Sequence, residues 1–253
     1  MEKLKFLFVL IMASLSMTGC GGGGGGGGGG GSTPSEPPEK SEGIWVGTTN
    51  AGQYIEGVVL DDGTYYLLYS DTSVSYIAGV VQGSSSMNGT SFSSSNAKDF
   101  NIEGAGVLSA SVSGTIAAEN TFNGSITYND GDVTFTSTYS DDYDVTPFLS
   151  VLAGDFSGEV AFSQGFESAN ISISPDGSIT GVGSSGCALT GTTYARTSGN
   201  VYNVSITFSG APCFFANQTL EGIIYYNSTE NYIYSITPNS NRTDGVLFVG
   251  TKS

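Results

Sequence analysis

Tyr202-Asn203-Val204-Ser205-Ile206-Thr207-Phe208 alternates apolar and polar side chains without a fault. Successive side chains of a strand point to opposite faces, so period two over such a window marks a half-buried strand. The pattern recurs in Leu108-Ser109-Ala110-Ser111-Val112, in Val133-Thr134-Phe135-Thr136 and in Ala169-Asn170-Ile171-Ser172-Ile173-Ser174. Between such runs lie Asp62-Gly63, Asp130-Gly131, Asp176-Gly177 and Asp244-Gly245. These dipeptides suit hairpin turns, because glycine accepts the positive φ that the turn demands. Strands spaced by about 8–12 residues with turns of this kind predict an all-β, antiparallel sandwich or barrel.

One segment departs from the pattern. Thr146-Pro147-Phe148-Leu149-Ser150-Val151-Leu152-Ala153-Gly154 offers a cap, a proline at the first helical position and a terminal glycine. That order predicts one or two helical turns. The helical linker, 147–153, would join a first lobe, 43–146, to a second, 154–253. The lobes look duplicated. Gly43-Ile44-Trp45-Val46-Gly47 corresponds to Gly154-Asp155-Phe156-Ser157-Gly158, and Asp62-Gly63-Thr64 to Asp176-Gly177-Ser178. A third correspondence joins Gly124-Ser125-Ile126-Thr127-Tyr128-Asn129 to Gly222-Ile223-Ile224-Tyr225-Tyr226-Asn227. Each lobe, at about 100 residues, is long enough to bury a core of its own and is expected to fold alone.

Upstream the chain is of another kind. Met1-Glu2-Lys3-Leu4-Lys5 is followed by the apolar Phe6-Leu7-Phe8-Val9-Leu10-Ile11-Met12-Ala13, too short for a bilayer core of about 30 Å. A basic start, a short apolar run and small residues describe an export signal over residues 1–19. Leu15-Ser16-Met17-Thr18-Gly19-Cys20 resembles the lipobox of bacterial lipoproteins, with Met17 where leucine is usual. The resemblance implies cleavage before Cys20, lipid on its sulfur and acylation of the new N-terminus. Gly21 rather than aspartate follows, which in that family implies the outer membrane, with the face it points to left open. Gly21 to Gly31 and Ser32-Thr33-Pro34-Ser35-Glu36-Pro37-Pro38-Glu39 then read as a disordered tether over 20–42. As a flexible coil it reaches about 25–30 Å.

The formal net charge is −16, and loss of Lys3 and Lys5 against Glu2 alone makes the exported chain more acidic. Nucleic acid and anionic lipid both require clustered Lys or Arg, so nucleic-acid binding is excluded as a class. Membrane attachment falls to the lipid. With Cys20 assigned to lipid, Cys187 and Cys213 remain as an even pair in an oxidising compartment. A disulfide is the expected use, with free buried thiols or a metal pair as the alternatives. Two cysteines in a chain without histidine make a poor zinc site.

Catalytic chemistry finds little purchase. The absence of histidine removes the serine triad and the histidine base. Ser95-Asn96-Ala97-Lys98 resembles the opening motif of penicillin-binding active sites, but its S-D-N and K-T-G companions are missing and the stretch reads as strand. Asp141, Asp142 and Asp144, with Asp130 and Asp132, are weak candidates for calcium, since their spacing is not that of an EF-hand loop. Tyrosines abound at Tyr65, Tyr66, Tyr69 and Tyr76 and again at Tyr225, Tyr226, Tyr232 and Tyr234. They divide between core and an amphipathic patch for protein or glycan.

Gly43-x-Trp45 early in a first strand is similar to the opening of calycins, the lipocalin and avidin superfamily of closed barrels. That resemblance implies a barrel floor closed by Trp45 in one lobe and Phe156 in the other. Leu60-Asp61-Asp62-Gly63-Thr64-Tyr65, with Ser185-Gly186-Cys187 and Ala211-Pro212-Cys213, also looks like bacterial surface lipoproteins. Together these readings lead to a non-enzymatic, lipid-anchored β module that needs no cofactor. Its partner would be an envelope protein or a glycan. A structural or assembly role in an envelope complex is the alternative, and a carboxylate-based polysaccharide hydrolase comes third.

Overall fold

A computed structural model describes residues 39–71 and 77–253. The signal peptide, Cys20, the tether as far as residue 38 and Tyr76 lie outside the described residues. The first lobe comprises β1 (Gly43–Thr49), β2 (Tyr54–Val59), β3 (Thr64–Ser70), β4 (Ile77–Ser84), the short β5 (Ser86–Asn88), β6 (Ser91–Asn101), β7 (Gly106–Ala117), β8 (Thr121–Tyr128) and β9 (Gly131–Ser140). Neighbours in sequence pair antiparallel except β4 and β5, β9 returns to β1, and β4 pairs β6, which closes an eight-stranded barrel with β5 outside it. A 3-10 turn (Asp141–Asp144) and the single-turn helix α1 (Leu149–Leu152) lead onward.

The second lobe comprises β10 (Gly154–Phe162), β11 (Gly165–Ile173), β12 (Ser178–Gly183), β13 (Ala188–Ala195), β14 (Val201–Phe208), β15 (Thr219–Asn227), β16 (Tyr232–Pro238) and β17 (Gly245–Lys252). It is a closed antiparallel barrel in which β17 pairs β10. Closure leaves no unpaired edge among the barrel strands of either lobe; the three-residue β5, paired to β6 alone, keeps one short edge.

The two lobes open in the same way. Trp45 and Phe156 turn inward near the start of each first strand and are almost wholly buried. Two residues on, Gly47 and Gly158 lie so close to the last strand that a Cβ would sit 1.9 Å from the Thr136 carbonyl oxygen and 2.0 Å from that of Val249. The Asp62-Gly63 and Asp176-Gly177 turns also match, since each aspartate accepts the backbone N–H two residues on, at 2.9 and 3.0 Å. The third correspondence does not hold. Gly124 lies on β8, the seventh strand of its barrel, whereas Gly222 lies on β15, the sixth of its own. Those strands run in opposite directions, and similar β-rich composition produced the match.

Three apolar clusters organise the molecule. Trp45, Tyr65, Phe92, Phe122 and Phe135 fill the first barrel, with Phe122 at its centre, 5.8 Å from Trp45, 4.8 Å from Phe92 and 5.0 Å from Phe135. Phe156, Tyr202, Phe208, Leu220 and Phe248 fill the second, and Leu152 of α1 joins that core. The third lies between the barrels. Ile44, Val58, Tyr66, Leu68 and Val80 on the outside of the first meet Val201, Ile223, Tyr225, Tyr234 and Val249 on the outside of the second. Strands β2, β3, β4, β15 and β16 are therefore buried largely on both faces. The barrels form one body instead of two beads on a linker.

Contacts between the barrels define two poles. Residues 39–42, expected to belong to the disordered tether, are instead docked on the first barrel: Glu39 donates its N–H to the Gly89 carbonyl and accepts the Ala118 N–H, and the Ser41 carbonyl accepts from Trp45 Nε1, because these backbone and side-chain groups find partners at that rim. At the same pole Arg196, in the β13–β14 turn, pairs with Asp61 at 2.5 Å and Asp62 at 3.3 Å. At the far pole Ile102, after β6, lines an apolar crevice with Phe162, Ser163, Pro238 and Asp244. Both barrels thus have one end at the tether and one away from it.

Candidate functional site

The far end of the first barrel is open. A cavity of about 170 Å³ is lined by Thr49, Gln53, Ile55, Tyr69, Asn101, Ile126, Tyr128 and Val133. Behind its tyrosines lies Asp99, 3% exposed, inside the barrel. The Tyr69 hydroxyl donates to one carboxylate oxygen at 2.8 Å and the Tyr128 hydroxyl to the other at 2.9 Å. Asn101 Nδ2 donates to the Tyr69 oxygen at 3.2 Å, while Asn101 Oδ1 takes the N–H groups of Glu103 and Ala105. Burial pushes the Asp99 carboxyl up, and the two phenol bonds pull it back. Burial and the Asp99 charge together push both phenols up, so they stay protonated donors.

Two local features create this arrangement. Phe92 and Ser94 of β6 are buried by simple alternation; the register then shifts between Ser94 and Ala97. This bulge moves the inward set to Ala97, Asp99 and Asn101. Gly79 of β4 supplies the room, because a Cβ there would sit 2.2 Å from the Tyr69 hydroxyl.

The far end of the second barrel is narrower, with about 50 Å³ left between Glu167, Cys187, Phe208 and Phe248. Cys187 and Cys213 are joined, with an S–S distance of 2.05 Å, and the bond ties the β14–β15 loop to the start of β13. The loop carries Phe214, 45% exposed, which stacks on Phe162 at 5.3 Å and meets Phe215 edge-on at 4.8 Å. Phe215 is buried in the core below. Phe166 and Val182 add exposed apolar surface on the outside of β11 and β12.

The other candidates of the sequence fall into place separately. Asp130 and Asp132 sit at one end of β9 and Asp141, Asp142 and Asp144 at the other, a strand length of about 30 Å apart. Asp144 accepts from the Tyr139 hydroxyl at 2.9 Å, and Asp142 lies beside Tyr225. Among the described residues no three potential metal ligands converge. Ser95 is the exposed bulge residue of β6, and Lys98 donates to the Ser109 hydroxyl at 2.8 Å. The helical stacking that the S-x-x-K motif requires is absent.

Of the tyrosines, Tyr65 and Tyr69 lie inside the first barrel and Tyr226 inside the second. Tyr66, Tyr225, Tyr232 and Tyr234 form the contact between barrels, not a free patch. Unbroken apolar runs, Tyr65-Tyr66-Leu67-Leu68-Tyr69 and Ile223-Ile224-Tyr225-Tyr226, were the available signal, because continuous runs mark strands buried on both faces.

No protein-family model matches the chain, and no curated protein sequence does. Among solved structures it is similar to the isotype 1 transferrin binding protein B from serogroup B Neisseria meningitidis. The identity is 9% and the TM-score 0.28, over 80% of this chain and 66% of that one. The chain thus spans just under two-thirds of that protein's length.

Proposed function

We propose that the protein is a non-catalytic binding lipoprotein of the bacterial outer membrane, held by lipid on Cys20, that engages a protein partner at the pole away from its tether. The observation that carries this reading is the exposed Phe214, carried on a disulfide-pinned loop at that pole and stacked on the half-buried Phe162. A rigid aromatic presented to solvent loses little conformational freedom on binding and supplies a large contact area, as interface anchors do. The lipobox-like signal supports the anchoring. The lack of histidine, which removes the serine triad and the histidine base, supports a role without catalysis.

Two measurements test it. Cys20→Ser should leave the membrane fraction or stall as precursor; normal processing with continued membrane residence contradicts the anchoring. Full-length protein, purified in detergent and immobilised, should retain an envelope protein, and Phe214→Ser should lose it while Phe148→Ser at the opposite pole keeps it. Equal retention by both variants contradicts the assigned surface.

A further inference from the structure

Asp99 is a buried carboxylate without a counter-charge. No lysine or arginine lines the cavity in front of it, and Lys98, its neighbour on β6, is turned to the outer face. A desolvated carboxylate costs free energy unless a cation or enough donors compensate it. Two phenol donors leave about half of its four lone-pair sites unused. The fold does not require a fully buried acid there: at the corresponding end of the second barrel Cys187, Phe208 and Phe248 leave only about 50 Å³, and the half-buried Glu167 carboxylate at its rim accepts the Ser185 N–H. The duplicated architecture therefore offers a comparison, in which one far end is narrow with its acid at the half-buried rim, and the other keeps a fully buried acid behind a cavity of about 170 Å³.

The cavity has the dimensions and lining of a cation site. Its 170 Å³ corresponds to about five or six water volumes, hence a molecule of about five heavy atoms. Two tyrosine rings stand at its wall, and aromatic faces attract cations. The phenol oxygens of Tyr69 and Tyr128, both spent as donors to Asp99, retain lone pairs, and Gln53 and Thr49 add further oxygens. The Asp99 charge repels an anion, and a neutral molecule gains less from it than a cation does.

We propose that the far mouth of the first barrel binds a small organic ammonium ion, seated against Tyr69 and Tyr128 with Asp99 as its counter-charge. This site goes beyond the partner-binding surface and does not depend on it, since it lies in the other barrel.

The test is a titration of full-length protein with propylammonium and with propan-1-ol, its neutral counterpart of equal heavy-atom number, followed by amide chemical shifts. Propylammonium should give saturable shifts at Thr49, Gln53, Asn101 and Tyr128, with propan-1-ol at least about tenfold weaker. Asp99→Asn should weaken propylammonium at least about tenfold, and Glu167→Gln in the second barrel should leave it unchanged. Should Asp99→Asn fail to fold, Tyr128→Phe takes its place, because Tyr69 still holds the carboxylate; it too should weaken binding. Equal affinity for the alcohol, unchanged affinity in the variant, or no saturable shift up to about 0.1 M overturns the proposal.

Discussion

Glu56 faces outward from β2 and is covered by the second barrel, where Tyr225, Tyr232 and Tyr234 surround it and Asp142 adds a like charge. It is 5% exposed, and Oε2 has no hydrogen-bond partner. Burial pushes the carboxyl up to about 7, against the opposing pull of a hydrogen bond with Tyr234. An acid whose folded value exceeds its unfolded one holds its proton more tightly in the folded state. Stability is therefore expected to fall as pH rises from about 4.5 through about 7, by roughly 3 kcal/mol if no other group titrates. Denaturant unfolding at pH 5 and pH 8 measures the difference, and Glu56→Gln should flatten it. A wild-type profile unchanged by that substitution assigns the pH dependence elsewhere. At the same scale, Gly47→Ala and Gly158→Ala should each cost about 1–3 kcal/mol, because the added methyl meets backbone that cannot turn aside.

At the scale of elements, the strands, the turns at Gly63, Gly131 and Gly177 and a helical turn before Gly154 were legible from local chemistry; the helix nevertheless starts at Leu149 with Phe148 as its cap instead of at Pro147, and the turn before β17 takes its positive φ at Arg242, not at Gly245. The bulge in β6 was not. Counting by twos from Phe92 puts Lys98 inside and Asp99 outside; the register shift at Ser95-Asn96 reverses both, and nothing in Ser93-Ser94-Ser95-Asn96 announces it. The candidate site was hidden for that reason. The contact between barrels was missed for another, since aromatic residues on two strand faces were assigned to core and surface although both faces were buried. The pairing of Cys187 with Cys213 bears on the element that presents Phe214. Opening that link, which closes about 27 residues, should lower stability by about 3 kcal/mol in the chain-entropy model. Cys187→Ser with Cys213→Ser should also make residues 209–218 the first site of limited proteolysis. Cleavage elsewhere, with an unchanged melting temperature, contradicts this role.

For the molecule as a whole, the apolar contact through Tyr66, Leu68, Tyr225 and Tyr234 joins the two barrels into one body. Lobes 43–146 and 154–253 produced separately should each melt below the intact chain and should associate when mixed, as size-exclusion chromatography would show. Two stable, indifferent monomers contradict the shared interface. Glu39 lies at the pole of Arg196 and Asp61, so under the proposed anchoring at Cys20 the opposite pole, with Phe162 and Phe214, is the one expected to be presented to a partner. Photocrosslinking in intact cells tests that most directly, with a photoreactive residue placed at Phe214 or Phe166 and, separately, at Phe148 or Val151. The account expects a discrete protein adduct from the first pair and none from the second. Adducts from Phe148 or Val151 alone contradict it.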